Sequence, residues 1–260
     1  MSQPRVTIFY EAGEQPAQEA YKKVYPNEIG PALAAPIERA GIPVAITSYG
    51  DEDHTLTREL LAETDVMIFW MHRRFEMDPD LIDAIERRVH EGMGIVILHS
   101  AVVSRVFHRL IGSTGSFIFR NAGERERVWV IDRGHPLAQG IGPYIELEGE
   151  EMYGEEFDIP TPDELVFISW WEGGEVFRSG CVWKRGRGKV FFFRPGHETT
   201  PTFHNPDIQK VLVNAVSYLM PQKDAPPAEL KKAPPPPEGP HNPGLVKRYE
   251  AWKPLPPPQK

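Results

Sequence analysis

Gly188-Lys189-Val190-Phe191-Phe192-Phe193-Arg194-Pro195-Gly196-His197-Glu198 is a short apolar run that stops abruptly. An apolar run of this length, closed by proline and glycine, reads as a strand buried on both faces, as in a parallel sheet flanked by helices. Its end delivers a histidine and a carboxylate. Open parallel α/β sheets bind ligands beyond the carboxyl ends of their strands, so His197 and Glu198 are the first candidates for chemistry. Gly94-Ile95-Val96-Ile97-Leu98 repeats the arrangement and closes on His99-Ser100.

Working outward, strands alternate with helices. Residues 5–10, 43–47 and 66–70 read as strands, and 29–40 as a helix with Ile29, Leu33 and Ile37 on one face, stopped by Gly41. Asp78 caps the next helix, Pro79 takes its first position, Leu81, Ile82, Ile85 and Val89 line one face, and Gly92 ends it. A helix is expected over 102–110, and a last one from Asn205-Pro206 with Ile208, Val211, Leu212, Ala215 and Leu219 on its apolar face. This order predicts an α/β fold of three layers, a mostly parallel sheet with helices on both faces. The excursion from 111 to 188 differs: Val128-Trp129-Val130-Ile131, Leu165-Val166-Phe167-Ile168 and 176–183 are strand-like runs joined by turns at Gly173-Gly174 and Arg185-Gly186. They are expected as antiparallel additions at one edge.

Residues 1–220 are expected to form this domain. From Pro221 onward proline dominates, with about half of the chain's 27 prolines there, so 221–260 is expected to be a proline-rich, disordered tail. Leu245, Val246, Tyr249 and Trp252 give that tail apolar residues for docking on the domain or a partner. With 40% hydrophobic and 25% charged residues the composition is that of a globular protein, and the net charge of −8 without a basic stripe argues against nucleic acid. There is no signal-peptide layout and no apolar run of spanning length, so a cytoplasmic location without membrane association is expected. The single cysteine, Cys181, sits inside a strand-like run and is read as a small buried hydrophobe. Apolar edge strands make a homodimer an expectation.

His72 follows the 66–70 strand, His99 the 94–98 strand and His197 the last, so three histidines share one rim, and Glu11 at the end of the first strand joins them. His54, His90, His108 and His135 read as solvated. The acid-rich stretch Glu146 to Asp158 reads either as a solvated loop or, because Met152, Tyr153 and Phe157 interrupt the carboxylates, as a loop folded over a pocket with one glutamate as acid or base.

The phrases Ile97-Leu98-His99-Ser100, Ala122-Gly123-Glu124-Arg125-Glu126-Arg127, Glu150-Glu151-Met152-Tyr153-Gly154-Glu155, Val176-Phe177-Arg178-Ser179-Gly180 and Phe193-Arg194-Pro195-Gly196-His197-Glu198 resemble, in order, the ThuA-like (trehalose utilisation) family of the class I glutamine amidotransferase-like superfamily. The resemblance spans residues 5–220. It implies a flavodoxin-like three-layer fold and a role in the use of trehalose or related disaccharides, alongside oxidoreductases that make 3-keto sugars. Amidotransferase activity is set aside, because the elbow position holds His99-Ser100 and no thiol. The family pattern carries further histidines near Glu14, Gly30, Phe75 and Val102, each replaced here.

Three functions follow. In the first, His99 and His197 exchange protons on a keto-disaccharide or related glycoside, at a carbon next to a carbonyl or at the glycosidic oxygen, with Glu151 as partner carboxylate, while Glu11, His72, Ser100, Tyr153 and Glu198 bind substrate; no cofactor is singled out, although the surviving residues could supply three ligands to a zinc-like divalent metal. In the second, the chain only binds sugar, stacking it on Trp70, Trp170, Trp171 and Tyr153. In the third, Ser100, His197 and Glu198 form a hydrolase, although Ser100 lacks the Gly-x-Ser-x-Gly setting.

Overall fold

The computed structural model describes residues 5–13, 17–50, 55–72 and 77–221. The proline-rich segment and His54, Glu14 and Phe75 lie outside the described residues. In chain order the elements are β1 (Val6–Glu11), α1 (Gln18–Val24), α2 (Ile29–Arg39), β2 (Val44–Tyr49), α3 (Arg58–Glu63), β3 (Val66–Trp70), α4 (Pro79–Glu91), β4 (Gly94–Leu98), α5 (Arg105–Ile111), β5 (Ile118–Val130), β6 (Tyr144–Gly154), β7 (Glu164–Trp171), β8 (Val176–Arg185), β9 (Gly188–Phe193) and α6 (Pro206–Leu219).

All nine strands join one sheet in the order β2-β1-β3-β4-β9-β8-β7-β5-β6. Pairs from β2 to β9 are parallel, and those from β9 to β6 are antiparallel. The sheet is therefore mixed, not mostly parallel. The reason lies in the connections: strands joined by tight turns must run antiparallel, and β5 and β6 are longer than the apolar runs within them suggest.

Both faces of the parallel half are packed. Val6, Ile8, Val66, Ile68 and Trp70 meet α1, α2 and α6, whereas Phe9, Met67 and Phe69 meet α3, α4 and α5, as the two-residue period of a strand requires. Helix ends follow the local chemistry. The Asp78 carboxylate accepts from the Asp80 N–H ahead of Pro79, and the Asn205 side chain accepts from Asp207 and Ile208. The helix expected over 102–110 is instead a 3-10 turn, His99–Val103, followed by α5, because the Ser104 hydroxyl accepts from Phe107 N–H and starts a new helix.

The acid-rich stretch is not a loop: Glu146 to Gly154 belongs to β6, with Ile145 and Leu147 buried in the core and Glu146 and Glu148 exposed. Alternating carboxylate and apolar residues is strand periodicity, which the high charge disguises. Trp70 pairs with Leu98, and Leu98 with Phe193, so β3, β4 and β9 end level at one rim.

Candidate active site at the strand ends

Every residue singled out for the site stands at that rim. Glu11 Oε2 accepts from the His72 backbone N–H at 2.9 Å, fixing the exit of β3 against that of β1. His72 Nδ1 lies 3.1 Å from Ser100 Oγ and 3.4 Å from Glu198 Oε2. His197 Nε2 is 3.5 Å from the same Glu198 oxygen, and the His99 and His197 rings meet edge to face at 5.5 Å. From the antiparallel half, β6 reaches across with Glu151, whose Oε2 is 3.2 Å from His99 Nε2, and Tyr153, whose hydroxyl is 3.3 Å from the same nitrogen.

His99 leaves β4 in the left-handed region, with φ of 49°, a conformation that non-glycine residues adopt at a cost of about 1–3 kcal/mol. That turn aims its ring across the rim. Nδ1 donates to the Arg194 carbonyl at 3.1 Å, so in the neutral ring the Nε2 lone pair faces Glu151 and Tyr153. Burial, aided by the Arg194 charge, pushes His99 down to about 3, so the ring is neutral at pH 7.

His197 is pushed down to about 4, by burial first and His99 second. Its Nδ1 is 2.9 Å from the Thr199 hydroxyl and its Nε2 3.1 Å from the Asn121 side-chain amide. The Thr199 backbone N–H also donates to Nδ1 at 3.3 Å, so the neutral tautomer with its proton on Nε2 keeps every one of these contacts. Glu198 is buried and pushed up to about 7, by loss of solvation first and then by the charges of Glu151 and Glu150. A carboxyl held there is matched to proton transfer near neutrality.

One donor atom from each of His99, Glu151 and His197 lies within 4.8 Å of the others. Two histidines kept neutral, one with its second nitrogen fixed by a carbonyl, together with one carboxylate, make a donor set that fits a divalent cation. The same acceptors fit the hydroxyls of a polyol.

The model of the family described as trehalose utilisation, ThuA, matches residues 5–219. The chain belongs to the ThuA family. A putative ThuA-like protein from Parabacteroides merdae is similar over 86% of this chain and 94% of its own, with a TM-score of 0.63 and 13% identity. A second, from Bacteroides uniformis, covers 83% of this chain and 91% of its own at a TM-score of 0.56 and 19% identity. A β-galactosidase from Rahnella sp. R3 is similar over 83% of this chain but 31% of its own, at a TM-score of 0.55 and 11% identity. At these identities the likenesses show a shared fold. No curated protein sequence matches the chain.

In this ThuA protein the structure adds residues that the sequence did not single out. Arg194 is fully buried, and its guanidinium donates to Glu126, to Glu150 at 3.1 Å and to the Glu151 carbonyl at 3.0 Å. Glu150 also accepts from Thr200 at 2.9 Å and from Thr202. Glu126 is pushed up to about 7, because burial outweighs the pull of Arg194. The sequence held a signal for this: an arginine directly after three phenylalanines on a buried strand cannot shed its charge and needs carboxylate partners. Asn121 had no signal, because its approach to His197 depends on how β5 passes the rim.

His99 and His197, pushed down by burial, are neutral at pH 7 and face a substrate as proton acceptors, with Glu198, pushed up to about 7, beside His197. Other expectations are corrected. Ser100 donates to the Met71 carbonyl at 2.9 Å and has His72, not His197, as its histidine neighbour, which removes the expected hydrolase triad. Trp70 and Trp171 are fully buried core residues, closed to any sugar; Trp170 is 39% exposed on the antiparallel half. His135 is buried rather than solvated, bonded to Glu164 at 2.7 Å and accepting the Leu137 N–H at 3.1 Å. His108 is half-buried and His90 exposed. Cys181 is buried in β8 with its thiol pushed up by loss of solvation. Of the replaced family positions, Val102 is in the core, and a Cβ at Gly30 would come 2.5 Å from the Tyr10 ring.

Proposed function

We propose that this ThuA-family chain is an enzyme of trehalose-class sugar utilisation that moves a proton at the carbon next to the carbonyl of a keto-disaccharide. The observation that carries the reading is the gathering of His72, His99, His197, Glu11, Glu151 and Glu198 at one buried rim, where charges and hydrogen bonds act with little screening by water. Glu198 takes the proton as the C–H bond breaks, and the electron pair passes to the carbonyl oxygen. His197, through its Nε2, relays the hydroxyl proton between the two neighbouring oxygens. Glu198 then returns its proton to the adjacent carbon, and the keto group has moved by one position with all atoms conserved. His99 Nε2 and Glu151 accept from substrate hydroxyls, and Tyr153 closes the site over His99.

His99, Glu151 and His197 would also hold a divalent cation, which when bound supplies Lewis-acid polarisation of the keto oxygen. The left-handed His99 at the turn after β4 supports placing the fold with the class I glutamine amidotransferase-like architecture, His99 standing where that architecture has its nucleophile. The assay is turnover of a 3-keto-disaccharide. Glu198→Gln is expected to lose turnover by about 100-fold or more while still binding the sugar. Turnover by that variant at the parent rate would remove Glu198 from the chemistry. A cytoplasmic site of action is part of the proposal; among the described residues no helix is long and apolar enough to cross a membrane.

A further inference from the structure

Phe119 is 67% exposed, the highest value among the exposed large apolar side chains of the described residues. Its position is not random surface. Phe119 on β5 pairs directly with Tyr153 on β6, and in an antiparallel pair opposed side chains stand on the same face. Tyr153 is the residue whose ring stacks on His99, with centroids 5.0 Å apart and planes 18° apart. Two residues further along β5, where its register with β6 slips after Arg120, Asn121 meets His197 Nε2 at 3.1 Å and brings this stretch of the strand to the rim. Phe119 therefore flanks the mouth of the site on the same side as its two histidines.

The spacing is informative. Two residues of a strand advance about 7 Å, roughly the step from one pyranose ring to the next in a disaccharide. A disaccharide with one ring at His99, Glu151 and His197 would extend its second ring toward Phe119, the strand partner of Tyr153. An exposed aromatic face beside polar groups is how a protein takes up the apolar C–H face of a sugar while its hydroxyls stay solvated. Trp70 and Trp171, buried in the core, cannot take this part.

We infer that Phe119 is the platform for the second sugar ring, making the site selective for disaccharides over monosaccharides. The inference deepens the proposed function and rests on it. The test measures binding by calorimetry and kcat/KM for a 3-keto-disaccharide and for the matching 3-keto-monosaccharide, in the parent protein, Phe119→Ala and Phe119→Trp. Phe119→Ala should weaken disaccharide binding about tenfold and raise its KM with kcat little changed, because a platform remote from the reacting carbon contributes equally to ground and transition states. Monosaccharide parameters should stay as in the parent, and Phe119→Trp should retain the disaccharide preference. Equal losses for both sugars, or no loss for either, would overturn the platform while leaving the chemistry at Glu198 standing. A parent protein that neither binds nor turns over either sugar would contradict the proposed function, and this inference with it.

Discussion

Arg194 holds His99 by one end and Glu151 by the other: its carbonyl accepts from His99 Nδ1 at 3.1 Å, and its guanidinium donates to the Glu151 carbonyl at 3.0 Å. One buried residue thus sets both the tautomer of the histidine and the seat of the carboxylate facing it. That links the parallel half of the sheet, which carries β4 and β9, to the antiparallel half, which carries β6.

Removing the guanidinium should be costly for the fold. Arg194→Met leaves Glu126 and Glu150 buried without their counter-charge, and breaking a buried pair in this way costs about 3–5 kcal/mol. Urea unfolding at pH 7 should show a loss of that size, with the m-value unchanged. A loss under ~1 kcal/mol would mean that the carboxylates are satisfied without Arg194.

Acid should destabilise the protein through its histidines. His99 and His197 have folded values of about 3 and 4, below the ordinary 6.5, so the unfolded chain binds protons that the native chain refuses. Both contributions are neutral above pH 6.5, and stability falls as pH drops from there toward 4 and 3. Glu198, raised to about 7, acts with the opposite sign, its native protonated form losing ground as pH rises from 4.5 to 7. The melting temperature of His197→Asn should therefore decline less steeply than the parent's between pH 6.5 and 4. Parallel curves would mean that His197 is already accessible to protons in the native state.

The cation set makes its own forecast. Zinc added to metal-free protein should bind at about one equivalent per chain, and Glu151→Gln and His99→Ala should each weaken it by about tenfold or more. Unchanged affinity in both variants would place any bound zinc elsewhere.

Restoring a family histidine should fail at one position for steric reasons. A Cβ at Gly30 falls 2.5 Å from Tyr10 Cε1 and 3.0 Å from Ile46, so Gly30→His forces the Tyr10 ring aside and should lower stability by about 1–3 kcal/mol. Thermal unfolding reads this directly, and a parent-like melting temperature would show that Tyr10 gives way freely.

The parallel half was legible because its strands are five- or six-residue apolar runs that carry their own punctuation: β3 and β4 begin and end at the residues read from sequence, and Asp78-Pro79 and Asn205-Pro206 open helices as expected. The rim residues were legible for the same reason, since a strand end fixes where the next side chain stands. Where charge and apolar residues alternate, as in β6, composition pointed to a loop, and only pairing with β5 shows the strand. Helices α1 and α3 were missed because seven- and six-residue helices carry too little periodicity to read. The run of three phenylalanines into Arg194 signalled a buried charge in need of carboxylates, but Asn121 and the neutrality of His99 depend on what folds over them, and no local pattern encodes that.

The most direct measurement is deuterium incorporation. A 3-keto-disaccharide incubated with the protein in D2O and followed by NMR should gain deuterium at the carbon next to the carbonyl, and Glu198→Gln should abolish the gain while sugar binding persists. Binding of the sugar with no exchange in the parent protein, under conditions where the keto-sugar is stable, would contradict the account and leave a sugar-binding protein without proton-transfer chemistry.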